Sequence, residues 1–133
     1  MDLLNHIEFS VGDGERSRCF YEAALAPLGL SLVITIGPSK TPLGGVRHGF
    51  GRGGRPSVWF HELGGANSGT RIHVAFTAGS RRDVDAFYAA ALSNGGRDNG
   101  PPGVRERYHS TYYAAYVLDP DGNNIEAVCE TEE

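Results

Sequence analysis

Three residues have types and positions suited to holding a divalent metal: His6, His73 and Glu126. The two histidines open matching segments, His-Ile-Glu-Phe-Ser-Val-Gly at 6–12 and His-Val-Ala-Phe-Thr-Ala-Gly at 73–79. In the first, Ile7, Phe9 and Val11 alternate with His6, Glu8 and Ser10, the pattern of a half-buried strand. In the second, Val74, Phe76 and Ala78 alternate with His73, Ala75 and Thr77. On the stretch 124–129, Ile125, Ala127 and Cys129 take the apolar side and turn Asn124, Glu126 and Val128 the other way. Two imidazoles and one carboxylate form a facial triad, which leaves positions open to water and substrate. Iron, manganese, nickel, cobalt and zinc all suit that mixed set. The bland alternative is a set of polar strand residues that bind no metal.

The elements that must position these residues come from a duplication. At a fixed offset of 67, residues 6–29 and 73–96 share 9 identities in 24 positions without a gap. Phe20-Tyr21 falls on Phe87-Tyr88, and Ala23-Ala24-Leu25 on Ala90-Ala91-Leu92. Each copy reads as a strand, then a helix, then three strands. Asp13 and Ser80 are matching N-cap residues, and Gly29 and the Gly95-Gly96 pair stop the helices. The first copy should place strands near 30–36, 45–51 and 57–63. In the second, residues 97–111 are rich in Gly, Pro and Arg and read as a loop with at most a short strand. Strands at 112–118 and 124–129 follow, joined by Asp119-Pro120-Asp121-Gly122, a strong turn signal. The expectation is one α+β domain over 1–133, built from two tandem βαβββ modules at about 1–65 and 68–133, forming a cup-shaped mixed sheet with an inward polar face.

Composition narrows the partners. The chain has 133 residues, 40% of them apolar, and a net charge of -4. Lys40 is the only lysine, and there is no basic stripe, which argues against nucleic acid. No apolar run reaches membrane-spanning length, and the N-terminus lacks the basic start and long apolar stretch of a signal peptide. Cys19 and Cys129 read as two buried thiols in a reducing compartment, so a cytoplasmic location is expected.

The pattern Asn5-His6-Ile7-Glu8-Phe9-Ser10-Val11, the helix carrying Phe20-Tyr21, and above all Asp119-Pro120-Asp121-Gly122-Asn123-Asn124-Ile125-Glu126 resemble the glyoxalase/bleomycin-resistance/dioxygenase superfamily, the vicinal oxygen chelate proteins. The resemblance covers nearly the whole chain. It implies paired βαβββ modules and metal ligands on the first and last strands of each, here His6, His73, Glu126 and one more. It also implies a homodimer. The fourth ligand position, Glu126 less the offset, is Trp59, which does not coordinate. That departs from glyoxalase I and is nearer the three-ligand sites of extradiol dioxygenases and fosfomycin thiol transferases.

Other residues are weaker candidates. His109 lies by the expected cavity rim, where it suits acid–base work. Tyr113 and Tyr116 suit donation to a substrate oxyanion. Trp59, His61 and Tyr116 suit an aromatic, polar binding wall. Arg105 and Arg107 suit an anionic substrate, with a solvated loop as the bland alternative. His48 has no repeat partner, and Gly51–Pro56 reads as a hairpin turn rather than a phosphate loop. Two functions compete. One is a metal-dependent lyase or dioxygenase that binds paired oxygens of a small molecule and stabilises an oxyanion or enolate. The other is a metal-free drug-binding protein of the bleomycin-resistance type.

Overall fold

The structure, a computed structural model, describes residues 3–41, 44–64 and 71–132. The first module contains β1 (Ile7–Val11), α1 (Gly14–Leu25), β2 (Ser31–Ile36), β3 (Arg47–Arg52) and β4 (Arg55–Glu62). The second contains β5 (His73–Thr77), α2 (Arg81–Ser93), β6 (Arg97–Val104), β7 (Tyr113–Leu118) and β8 (Asn124–Cys129). This is the expected α+β pair of βαβββ modules. The residues expected to join them, 65–68, lie outside the described ones. Each module forms a four-stranded mixed sheet, in the orders β1-β4-β3-β2 and β5-β8-β7-β6. No described helix is long and apolar enough to cross a membrane.

The offset of 67 survives in the hydrogen-bond register. Glu8 faces Trp59 as Ala75 faces Glu126, and Gly49 faces Trp59 as Tyr116 faces Glu126. Both helix starts are capped as expected: the Asp13 carboxylate accepts from Arg16 N, and the Ser80 hydroxyl accepts from Asp83 N.

One apolar core spans both modules. Phe20, Tyr21 and Leu25 of α1 and Val84, Phe87 and Ala91 of α2 lie in it, with Phe60, Ile125 and Ala127 from the sheets. The helices pack against one another. Gly96 allows this: a Cβ there would meet a ring carbon of Phe20 at 2.7 Å and the Ala91 carbonyl oxygen at 2.8 Å. Tyr21 stacks on Phe60 at 4.2 Å, and its hydroxyl donates to Asp119 Oδ2 at 2.5 Å. Both partners are almost wholly buried. Burial, and then the Asp119 charge, push the Tyr21 hydroxyl far above its usual range.

Two expectations need correction. Residues 97–104 form a full strand rather than a loop. Pairing with β7 overrides the unfavourable composition. Register shifts between Asp98 and Gly100 and between Gly100 and Gly103 absorb the prolines, and the strand lies at a sheet edge, where a missing N–H is tolerated. Cys19 is exposed rather than buried, because it falls on the outer side of α1; Cys129 is buried.

Tyr21→Phe removes the hydroxyl that satisfies buried Asp119. It is expected to destabilise the fold by about 1–3 kcal/mol in urea unfolding. His48, buried beneath α1, bonds Thr35 Oγ1 at 2.9 Å. Burial first, and then the Arg18 charge, lower its pKa; Glu15, Glu62 and Glu22 oppose this. The folded state therefore binds protons less readily than the unfolded chain. This group's contribution is intact above the unfolded value of about 6.5 and is lost as pH falls from there through the lower folded value. In melting curves from pH 7.5 to 5, His48→Gln should flatten the acid-side decline. An unchanged slope would mean another group controls it.

Candidate functional site

Adjacent parallel strands β5 and β8 bring His73 and Glu126 together. Glu126 is almost completely buried, and its Oε1 lies 3.1 Å from His73 Nε2. Its Oε2 accepts from the Tyr112 hydroxyl at 2.6 Å. Burial, and then the bond to Glu126, raise the Tyr112 pKa. Tyr116 lies directly across from Glu126 on β7; burial first and the Glu126 charge second raise its pKa too. The His73 ring is half-exposed and lies 6.5 Å from the Tyr116 ring, in a stacked orientation.

The tautomer of His73 follows from its other nitrogen. Nδ1 lies 3.0 Å from the Asn124 carbonyl oxygen, which can only accept, so Nδ1 carries a proton. A neutral His73 therefore presents a bare Nε2 lone pair to a carboxylate oxygen. Two lone pairs at that distance need something positive between or beside them: a proton, on the imidazole or on the carboxyl, or a metal ion. A separation of 3.1 Å suits neighbouring ligands that each lie about 2.1 Å from one ion. An Nδ1–H bonded to a backbone carbonyl is also how a metal-ligating histidine is commonly oriented. The donor chemistry therefore fits a divalent metal. Among the described residues, no third His, Cys, Asp or Glu joins the pair.

The matching face of the first module is a different cluster. Arg47 makes two bonds to Glu8, Nη2–Oε1 at 2.6 Å and Nε–Oε2 at 3.3 Å, and lies 4.4 Å above the Trp59 ring. Buried His61 places Nδ1 3.7 Å from Glu8 Oε2, and its Nε2 has no hydrogen-bond partner among the described residues. Here the carboxylate is already neutralised by a guanidinium.

The family model for the Glyoxalase/Bleomycin resistance protein/Dioxygenase superfamily matches residues 3–127. The chain belongs to that superfamily. A glyoxalase/bleomycin resistance protein from Albidiferax ferrireducens T118 is 29% identical, with a TM-score of 0.75 over 96% of this chain and 98% of that one. Glyoxalase I from Zea mays is 22% identical, with a TM-score of 0.70 over 96% of this chain but 46% of its own. A superfamily enzyme from Burkholderia phytofirmans PsJN is 18% identical, with a TM-score of 0.66 over 96% of this chain and 98% of that one. The last two likenesses speak to the superfamily fold alone. No curated protein matches.

Against that superfamily pattern, the structure unites only part of the expected site. His6 lies just before β1, exposed, with Nδ1 2.7 Å from Asn5 Oδ1, and does not join His73 and Glu126. Trp59 and His61 share the first module's polar cluster. Tyr116 stands beside Glu126. Tyr113 turns to the opposite face, where its hydroxyl donates to Asp85 of α2 at 2.6 Å. That bond is the main cause of its raised pKa. His109 is exposed, bonded to Glu130 at 2.7 Å and to Thr111 Oγ1 at 2.9 Å; its ring lies 5.4 Å from that of Tyr112. Tyr112 is the residue that sequence reasoning missed. It lies just before β7, four positions before Tyr116, so strict alternation over the expected strand 112–118 could have found it.

Proposed function

We propose that this chain is a metal-dependent superfamily enzyme of the lyase or dioxygenase kind, acting on a small molecule through paired oxygens. The reading rests on one observation: an Nδ1-protonated His73 sets its Nε2 3.1 Å from buried Glu126. His73 and Glu126 would hold a divalent ion, with iron, manganese, nickel, cobalt and zinc as the candidates. Bound there, the ion would supply Lewis acidity to adjacent substrate oxygens and stabilise negative charge developing on them. The protein's own part is orientation and proton supply. The Asn124 carbonyl fixes the imidazole, Tyr112 fixes the carboxylate, and Tyr116 presents a second hydroxyl on the same face. His109 sits one aromatic ring away, at an exposed position suited to proton exchange with solvent.

The third protein ligand in this proposal is His6 of the partner subunit in a homodimer. The motivation is that each chain carries His6 exposed and apart from its own pair, next to the exposed apolar residues Leu3 and Leu4. Trp59 and His61 would then form a substrate-facing wall. The proposed location is the cytoplasm.

The alternative is a metal-free small-molecule binding protein, in which His73 carries the second proton and forms an ion pair with Glu126. It is favoured by the Tyr112 bond, which satisfies the other carboxylate oxygen without an ion.

Metal analysis of protein purified without chelators or an affinity-column metal separates these readings. The proposal expects a bound divalent ion, lost in His73→Ala, Glu126→Ala and His6→Ala. Mixing unfolded His6→Ala and His73→Ala chains and refolding them together should restore part of the binding, since a hybrid dimer has one intact site. No recovery would exclude the shared site. No bound ion in the wild type would leave the metal-free reading, and an ion kept by all three variants would mean that it is held away from the His73–Glu126 pair.

A further inference from the structure

Among the described residues, Arg105 is a cation held in place without a carboxylate. Its Nη2 donates to the Pro101 carbonyl at 2.6 Å, and its guanidinium lies 5.3 Å from the Tyr116 ring centroid. The bed beneath it is made by glycines. A Cβ on Gly103 would come within 3.1 Å of Nη1, and one on Gly100 within 3.3 Å of Nη2. Nε and Nη1 have no hydrogen-bond partner among the described residues, and no described acidic side chain pairs with Arg105. The neighbouring arginine differs: Arg107 lies exposed over Tyr108 at 5.0 Å, with Nη2 bonded to that residue's hydroxyl. Placing a guanidinium by a carbonyl, a ring and two absent side chains, while leaving its charge unmatched, readies it for an anion from outside. A planar guanidinium is well shaped for a carboxylate.

Tyr116 says where that anion would lie. Its ring has the Arg105 guanidinium at 5.3 Å and the His73 imidazole ring at 6.5 Å, and it pairs across the sheet with Glu126. The guanidinium and the His73–Glu126 pair therefore border the same side chain.

We propose that Arg105 anchors the carboxylate of the substrate, whose class is therefore a small carboxylic acid. This rests on the reading of the His73–Glu126 face as the substrate site. It goes further by naming the charged group recognised and the residue that recognises it.

The test uses mandelate, an aromatic 2-hydroxy carboxylate, with its neutral methyl ester as control. Binding is measured by calorimetry on full-length protein dialysed against a chelator, so that no ion can hold the probe. Mandelate should bind the metal-free wild type, and the ester should not. Arg105→Gln should weaken binding about tenfold or more. Arg105→Lys keeps the charge but loses the planar guanidinium, and should weaken binding with little change in melting temperature. Glu126→Gln should retain it. Mandelate binding that is absent without metal, or undiminished in Arg105→Gln, overturns the anchor. Neither result alters the metal content that tests the proposed function, so the two readings fail separately.

Discussion

The hydrogen bond from Tyr21 to Asp119 ties the candidate site to the rest of the fold. It joins residues 98 apart in sequence, one on the helix of the first module and one at the turn of the second. Asp119 does more than accept from Tyr21. Its Oδ1 takes the backbone N–H groups of Asp121 and Asn123, and its Oδ2 takes the Asn123 amide. Asn123 Oδ1 then accepts from Ile72 N, one residue before His73. The register of β5 on β8, and so the approach of His73 to Glu126, is thus pinned from inside the core. Gly12 N to Asp121 and Arg16 to the Pro120 carbonyl reinforce the same turn from the first module. The two modules depend on each other because a buried carboxylate must be satisfied by donors from both.

The shared register shows how two copies of one unit came to have different chemistry. Where the second module has Glu126, the first has Trp59; where the second has Tyr116, the first has Gly49, which lets the Trp59 ring approach to 3.0 Å of where a Cβ would stand. The first module's acid is instead Glu8, and Arg47 already spans it. The second module's acid meets neutral hydroxyls and a half-exposed imidazole. Glu126 is a buried carboxylate with no permanent cation paired to it among the described residues. Such a group is costly to bury unless something positive can join it.

Much of this was legible in the sequence. The duplication, both N-caps, the 124–129 strand and the Asp-Pro-Asp-Gly turn were all readable, because each depends on local spacing or backbone chemistry. Tyr113 and Tyr116 suit the same role by residue type, but they lie three apart on one strand and so turn to opposite faces; Tyr112 shares the Tyr116 face. The position of His6 could not be read at all. Duplication shows that His6 and His73 occupy equivalent places in their own modules, but it carries no information on how one module sits against the other. The Glu8–Arg47 pair was hidden for a similar reason: its partners lie on β1 and β3, strands separated by β4.

The stretch from Gly100 to Gly103 is where local rules and the fold disagree most. Two glycines and two prolines make a poor strand, since they weaken its backbone and remove ladder donors. A regular strand with side chains at 100 and 103 would have better propensity. It would also crowd the Arg105 guanidinium, which would lie 3.1 and 3.3 Å from the added Cβ atoms. Edge position keeps the cost low, because only β7 pairs with this strand. A sequence that fails as a strand former here succeeds as the seat of a charge, and departures of that kind concentrate where a protein meets its ligand.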